Sequence, residues 1–400
     1  MANDNSETTG VSVGRSSLSI LFAVVFLDNL GFAFVVPYLF FYVAALGGSP
    51  FIYGVLLASY SLMSFIVTPT VARLSDRFGR RKILLIGLAI SGMSYVIFGA
   101  AQAIWVFFVG RMLAGTTAAT VPVAQAYVAD VTTPTKRLRY LGLLGAAAGI
   151  AFIFGPAIGG TLSDLFGYGL PSFFAASLAF TNFALAYFLL PEPSSFNIKR
   201  TAISLATLLK VLRKRRITFL LSIYFMFFVA FVFLQAALSP WLQAVFGFGA
   251  FQVGLVFFFI GGVSVLTQAI LLPAFNKKFS QLQLTFLSLG VFAFGLLVLT
   301  AVQNLALLFA VASVVSFGFG IQYVTFNTLI SLSTSKEAQG GTLGIAWAIA
   351  GLAQTIAPVI AASVFSFGVS LGFDGLVFVA SAIISMATVP LILGFKKASE

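Results

Sequence analysis

Residues 17–42 read SLSILFAVVFLDNLGFAFVVPYLFFY, an apolar run that carries a single charge, Asp28, near its middle. About 20 apolar residues suffice for a helix to cross a hydrocarbon core of about 30 Å. The run is therefore a membrane span. A carboxylate at that depth costs several kcal/mol unless it is paired, neutralised or wetted by a cavity, so Asp28 reads as a functional residue. A secretory signal peptide is the competing reading, but its apolar core runs only about 7–15 residues before a small-residue cleavage site. The preceding residues 1–16, MANDNSETTGVSVGRS, are polar and read as disordered.

The pattern continues to the other end of the chain. Of 400 residues, 60% are hydrophobic and 8% charged, against about 25% charged in soluble domains. Apolar runs near 17–42, 51–72, 83–101, 104–129, 140–163, 170–191, 217–244, 250–274, 282–300, 305–331, 340–366 and 375–395 give twelve spans. No room remains for a large soluble domain. The chain has no Cys and no His, which excludes disulfides, thiol redox chemistry, haem ligation and the usual zinc sites. Proton chemistry falls to carboxylates. No nucleophile and base pair, metal cluster or Walker loop appears, so neither an enzyme nor a nucleotide-driven pump is expected, and no cofactor or metal.

A net charge of +12 invites a nucleic-acid reading, but the basic residues sit in alternate short loops. Arg73, Arg77, Arg80, Arg81 and Lys82 follow span 2; Lys136, Arg137 and Arg139 follow span 4; Lys199 to Arg216 fill the connection between spans 6 and 7. Lys277, Lys278, Lys336, Lys396 and Lys397 keep the same parity, whereas the opposite loops contain no Lys or Arg. By the positive-inside rule both termini are expected in the cytoplasm. Of 22 basic residues, Arg111 alone lies well inside a span.

The two halves of the chain repeat. At an offset of 202, Gly142, Gly149, Ala151, Pro156, Gly159 and Gly160 of span 5 fall on Gly344, Gly351, Ala353, Pro358, Ala361 and Ala362 of span 11. Duplicated six-helix bundles follow. The expected division is a cytoplasmic N-terminus 1–16, a bundle 17–191, a linker 192–216, a second bundle 217–395 and a tail 396–400.

These residues carry a resemblance over nearly all of 17–395. The segment ARLSDRFGRR, residues 72–81, resembles the loop signature of major facilitator superfamily transporters, with Ala72 where Gly is usual. Arg111 to Ala119 resembles the R-x-x-x-G signature of helix 4 in that superfamily's twelve-span drug:proton antiporters. Gly142 with Gly155, Pro156, Gly159 and Gly160 resembles their helix 5 antiporter signature, with Ala151 in place of Gly. Leu27-Asp28, Gly31 and Pro37 are similar to their first helix. The resemblance implies an all-α membrane protein of two pseudo-symmetric six-helix bundles. It also implies a cytoplasmic latch of the outward-open state, in which Asp76 meets the start of helix 11 and Arg80 pairs with Asp130.

The residues support these expectations physically. A carboxylate at the end of helix 2 faces the negative end of the helix dipole, so Asp76 needs a partner, and Gly79 permits the tight turn into span 3. A rise of about 1.5 Å per residue puts Asp28 about 16 Å from one face and Arg111 about 14 Å from the other. In a core about 30 Å thick these depths nearly coincide, so a proton-coupling pair of Asp28 and Arg111 is expected; a static buried ion pair is the plainer alternative. Small residues in helix 5 allow close helix contact, and Pro156 invites a kink. Asn29, Gln125, Gln235 and Asn327 are the candidate substrate contacts, with Asn182, Gln268, Gln322 and Gln354 as further amides inside spans, because unpaired amides are costly in hydrocarbon. With 47 Phe in the chain, the cavity is expected to be apolar and aromatic.

The function these observations favour is proton-coupled antiport of small hydrophobic or drug-like compounds across the cytoplasmic membrane by alternating access, in a monomer driven by the proton gradient. The rival readings are an exporter of a defined metabolite such as a sugar or amino acid, an uptake symporter, and a non-transporting receptor on the same fold.

Overall fold

The structure, a computed structural model, describes residues 15–193, 215–334 and 339–397. The expected N-terminal segment up to residue 14, the linker from 194 to 214, Lys336 and the last three residues of the tail lie outside them. Among the described residues twelve helices are long and apolar enough to cross a membrane. They are α1 (Arg15–Ala45), α2 (Pro50–Phe78), α3 (Arg80–Gly99), α4 (Ile104–Val131), α5 (Pro134–Phe166), α6 (Gly169–Leu189), α7 (Arg215–Phe246), α8 (Ala250–Phe275), α9 (Gln281–Leu299), α10 (Leu305–Leu332), α11 (Gln339–Ser370) and α12 (Leu376–Phe395).

Two helices depart from regularity for identifiable reasons. In α4 the run breaks at residues 117–119, where the hydroxyls of Thr116, Thr117 and Thr120 each donate back to a carbonyl three residues earlier, a pattern that bends helices. Pro122 then removes one further backbone donor. In α8 a single wide turn, Thr267–Leu271, comes just before Pro273, which is the sort of site where such bulges form.

The helix α2 runs beyond the apolar stretch that ends near residue 72, with Asp76 in its last turn and the turn at Gly79, as expected. Ala72 to Phe78 form the last turns of α2, and only Gly79, with φ +104°, leaves the helix before α3 begins at Arg80. That dihedral favours glycine, so the turn is compressed into one residue.

Packing repeats with a shift of six helices. In the first bundle α1 packs on α5 and α6, α3 on α4 and α6, and α2 on α4; in the second α7 packs on α11 and α12, α9 on α10 and α12, and α8 on α10. Pro37-Tyr38-Leu39 of α1 and Pro240-Trp241-Leu242 of α7 correspond in the same way, with Tyr38 and Trp241 both fully buried. Between bundles, α5 meets α8 and α2 meets α11.

The apolar core is forked. At the end away from the basic loops, one core holds Phe34, Tyr38 and Phe41 together with Phe233, Trp241 and Val253, and so joins both bundles. Towards the basic end it divides. One branch, around Leu21, Val24, Leu88 and Tyr127, belongs to the first bundle; the other, around Tyr224, Phe227, Phe326 and Ala350, belongs to the second. A cleft between the bundles that opens towards the basic loops is the geometric result.

Candidate functional site

Asp28 stands at the fork. On α1, Val24 and Val25 belong to the branch of the first bundle, while Leu30 and Phe34 belong to the common core. Asp28 between them is partly exposed although it lies in the middle of a span. Its carboxylate lies in electrostatic range of Tyr60 and Tyr95, and Gly31, one turn further on, leaves room for the Tyr95 ring. Asn29 does not assist the acid. Its amide donates to the carbonyl of Val25 at 2.8 Å on its own helix.

Arg111 is 5% exposed, yet the structure shows no ion pair between it and Asp28. The expected pair matched in depth, but depth is one coordinate of three, and the direction α4 faces sends the guanidinium to α2. It lies over the ring of Tyr60 at 4.7 Å and that of Phe32 at 5.9 Å. A desolvated cation on an aromatic face gains about 2 kcal/mol or more. Its Nε has no hydrogen-bond partner. The spacing of Arg111 and Gly115 now has a reason: a Cβ at Gly115 would meet the backbone of Tyr60, whose carbonyl carbon would stand 3.2 Å away. Gly115 admits α2, and one turn earlier Arg111 receives the ring.

The charged cluster sits within the first bundle. Arg80 Nε donates to Asp130 Oδ2 at 3.0 Å, and the same guanidinium donates to Asp76 and to Ser75 Oγ. The expected contact of Asp76 with the start of helix 11 is not among the contacts of the described residues, where Asp76 is held by Arg80. Glu192, assigned from sequence to the linker, instead holds the start of α3: its carboxylate accepts from the Arg81 backbone N–H at 3.3 Å and packs on Gly79. Acidic groups are favoured there by the helix dipole. Tyr127 donates to the Pro191 carbonyl at 2.6 Å, so the chain remains docked to the bundle up to this point.

The side chains of Arg80 and Asp130 are 8% and 14% exposed, that of Asp76 45%. Breaking a buried pair costs about 3–5 kcal/mol, an exposed one about 0–1 kcal/mol. Asp130→Asn is therefore expected to lower the thermal unfolding midpoint in detergent several times more than Asp76→Asn. Equal shifts would show that Arg80 is held by neither acid in particular.

The helix 5 residues divide by position. Gly155 and Gly159 take α1 at Ala33 and Phe34, while Gly160 and the Pro156 carbonyl meet Ala250, Phe251 and Gly254 of α8. The mirror contact joins Gly54 of α2 to the Pro358 carbonyl and Ala362 of α11. Gly142 is corrected: it makes no close helix contact, since nothing lies within 4 Å of where its Cβ would stand, and the same holds for Gly145, Gly149 and Gly344. The helices have diverged by that level, where the cleft is open.

The polar candidates also separate. Gln235 is the one exposed residue of α7 between Leu220 and Leu242, and Gln125 is exposed on α4. Asn327 lines a cavity of about 470 Å³ with Tyr323, Thr328, Ser331 and Trp347, its amide donating to the Tyr323 carbonyl at 2.7 Å. Trp347 is 51% exposed five residues into the span that begins at Thr342, a cavity residue the sequence reading missed because a tryptophan near the end of a span is common. Asn182 and Gln322 are fully buried, and Asn182 ties α6 to the Val24 carbonyl at 2.9 Å. They serve the bundle interiors.

Two bundles joined at one end around a cleft, with a titratable acid at its apex, define a carrier that exposes a central site by rocking. A family model described as Major Facilitator Superfamily matches residues 21–358, and the chain belongs to that family of transporters. It is 28% identical to the class C tetracycline resistance protein of Escherichia coli, over 94% of this chain and 96% of that one. With the class D protein of Salmonella ordonez it shares 30% identity, over 78% and 80%. Multidrug resistance protein 1 of Bacillus subtilis is 28% identical over 89% and 92%. Among solved structures, a nucleoside transporter superposes with a TM-score of 0.77 at 13% identity, covering 96% of this chain and all of that one. A bacterial homologue of the human lysosomal transporter Spinster gives 0.74 at 14% identity, covering 95% and 96%.

Proposed function

We propose that this protein is a proton-coupled antiporter that exports small hydrophobic, drug-like compounds across the cytoplasmic membrane by alternating access. The observation that carries the reading is Asp28, partly exposed at the apex of the cleft and without a cation on it, where it meets whatever enters. Relatives named for tetracycline and multidrug resistance agree with the substrate class. The aromatic cavity with Tyr323, Asn327 and Trp347 suits a flat apolar molecule bearing a few polar groups. The basic loops face the cytoplasm together with both termini, and the cleft as seen is then the inward-open state. The protein works as a monomer with the proton gradient as its energy source and no cofactor.

The test is reconstitution into vesicles with an imposed pH gradient and a panel of a tetracycline, cationic dyes, neutral drugs and sugars. Movement of a drug or dye opposite to the protons is expected. Sugar transport alone, or substrate moving with the protons, would overturn the reading.

A further inference from the structure

The geometry around Arg111 assigns a role to a residue that no motif marks. We propose that Tyr60 is a positioning residue for proton coupling: its ring holds the Arg111 guanidinium in this conformation and keeps it off the Asp28 carboxylate, which is left free to exchange its proton with the cleft. The inference rests on the antiport reading above.

Three observations converge on it. The guanidinium lies 4.7 Å from the Tyr60 ring centroid, and Phe32, four residues after Asp28, flanks the same ring at 5.2 Å. The Tyr60 backbone is fixed by its approach to Gly115, so the ring is held from below and from the side. Tyr60 lies in electrostatic range of both Asp28 and Arg111. It is the group on α2 that both ions share.

A direct ion pair would keep Asp28 a carboxylate, whereas a coupling acid must gain and lose its proton in every cycle. A buried cation nevertheless needs a counterpart, and an aromatic face supplies one that does not titrate with the acid. The ionisable groups around Arg111 are Tyr38 of α1, Tyr53 and Tyr60 of α2 and Tyr95 of α3. Among the described residues no carboxylate is one of them.

The experiment uses the full-length protein in vesicles and follows gradient-driven substrate transport against pH. Gradient-free exchange of the same substrate reports a folded carrier. Tyr60→Leu removes the ring and frees the guanidinium to pair with Asp28. A paired carboxylate takes up its proton only in more acidic medium, so the transport profile is expected to move by about one pH unit to lower pH, while exchange persists. Tyr60→Phe keeps the ring and is expected to keep the wild-type profile. In an Arg111→Gln background, Tyr60→Leu is expected to change nothing further, and Tyr60→Met replaces it if the Leu protein does not fold. A wild-type profile in Tyr60→Leu or Tyr60→Met, a Tyr60→Phe protein displaced as far as Tyr60→Leu, or an additive effect with Arg111→Gln would overturn the proposal. If the wild-type protein itself shows no proton-driven transport, the antiport reading fails, and that outcome is distinct from the others.

Discussion

Asp28→Asn is expected to abolish uphill export while leaving the fold and substrate binding intact. The substitution keeps the shape of the side chain and removes its titratable proton. A potential of 100 mV supplies about 2.3 kcal/mol per charge, roughly a fifty-fold concentration ratio for a neutral substrate at one proton per cycle. In Asp28→Asn vesicles that ratio should fall to unity, with substrate exchange in the absence of a gradient retained. Asp28→Glu should keep part of the activity. Full gradient-driven accumulation by Asp28→Asn would remove this residue from the mechanism.

The second large effect belongs to the closed end of the cleft. Gly54 and Gly254 each press against the carbonyl of a proline in the facing bundle, Pro358 and Pro156 respectively. A side chain there must force two backbones apart, and overpacking of this sort costs about 1–3 kcal/mol. That corresponds to about a 5–150-fold shift between conformations. Gly54→Val and Gly254→Val should both move the population towards the state open at the apolar end. Labelling of Cys residues placed singly along the closed interface of this Cys-free chain would read the shift. Gly142→Ala, which meets open space, serves as the neutral comparison. Unchanged labelling in both valine variants would mean that the two contacts do not hold the bundles together.

Hydropathy made the twelve helices legible, because a bilayer tolerates almost no charge and the sequence marks each crossing by its absence. The same rarity singled out Asp28 and Arg111. What the sequence could not supply was rotation about the helix axes. Arg111 lies at the expected depth but turns towards the tyrosines of α2, and Asn182 and Gln322 turn into their bundles while Gln235 and Asn327 do not. Composition cannot distinguish these cases, since an amide in an apolar run is equally rare on either face. The apolar run ends near residue 72 but α2 does not, because residues 73–78 contain no helix breaker and the helix runs on to Gly79. Glu192 is the one acid of the otherwise basic stretch 192–216, and its role shows only when the start of α3 is seen beside it.

The correspondence of Pro37-Tyr38-Leu39 with Pro240-Trp241-Leu242 places Phe231 of the second bundle where Asp28 stands in the first. Phe231 is stacked on Phe319 at 4.2 Å. On the antiport reading proposed above, one ancestral scaffold has specialised into an engine and a palate, with Asp28 and Arg111 in the first bundle and the aromatic surface of Tyr323, Asn327 and Trp347 in the second. Selection can then widen or narrow the range of exported compounds through the second bundle while the power stroke is inherited unchanged.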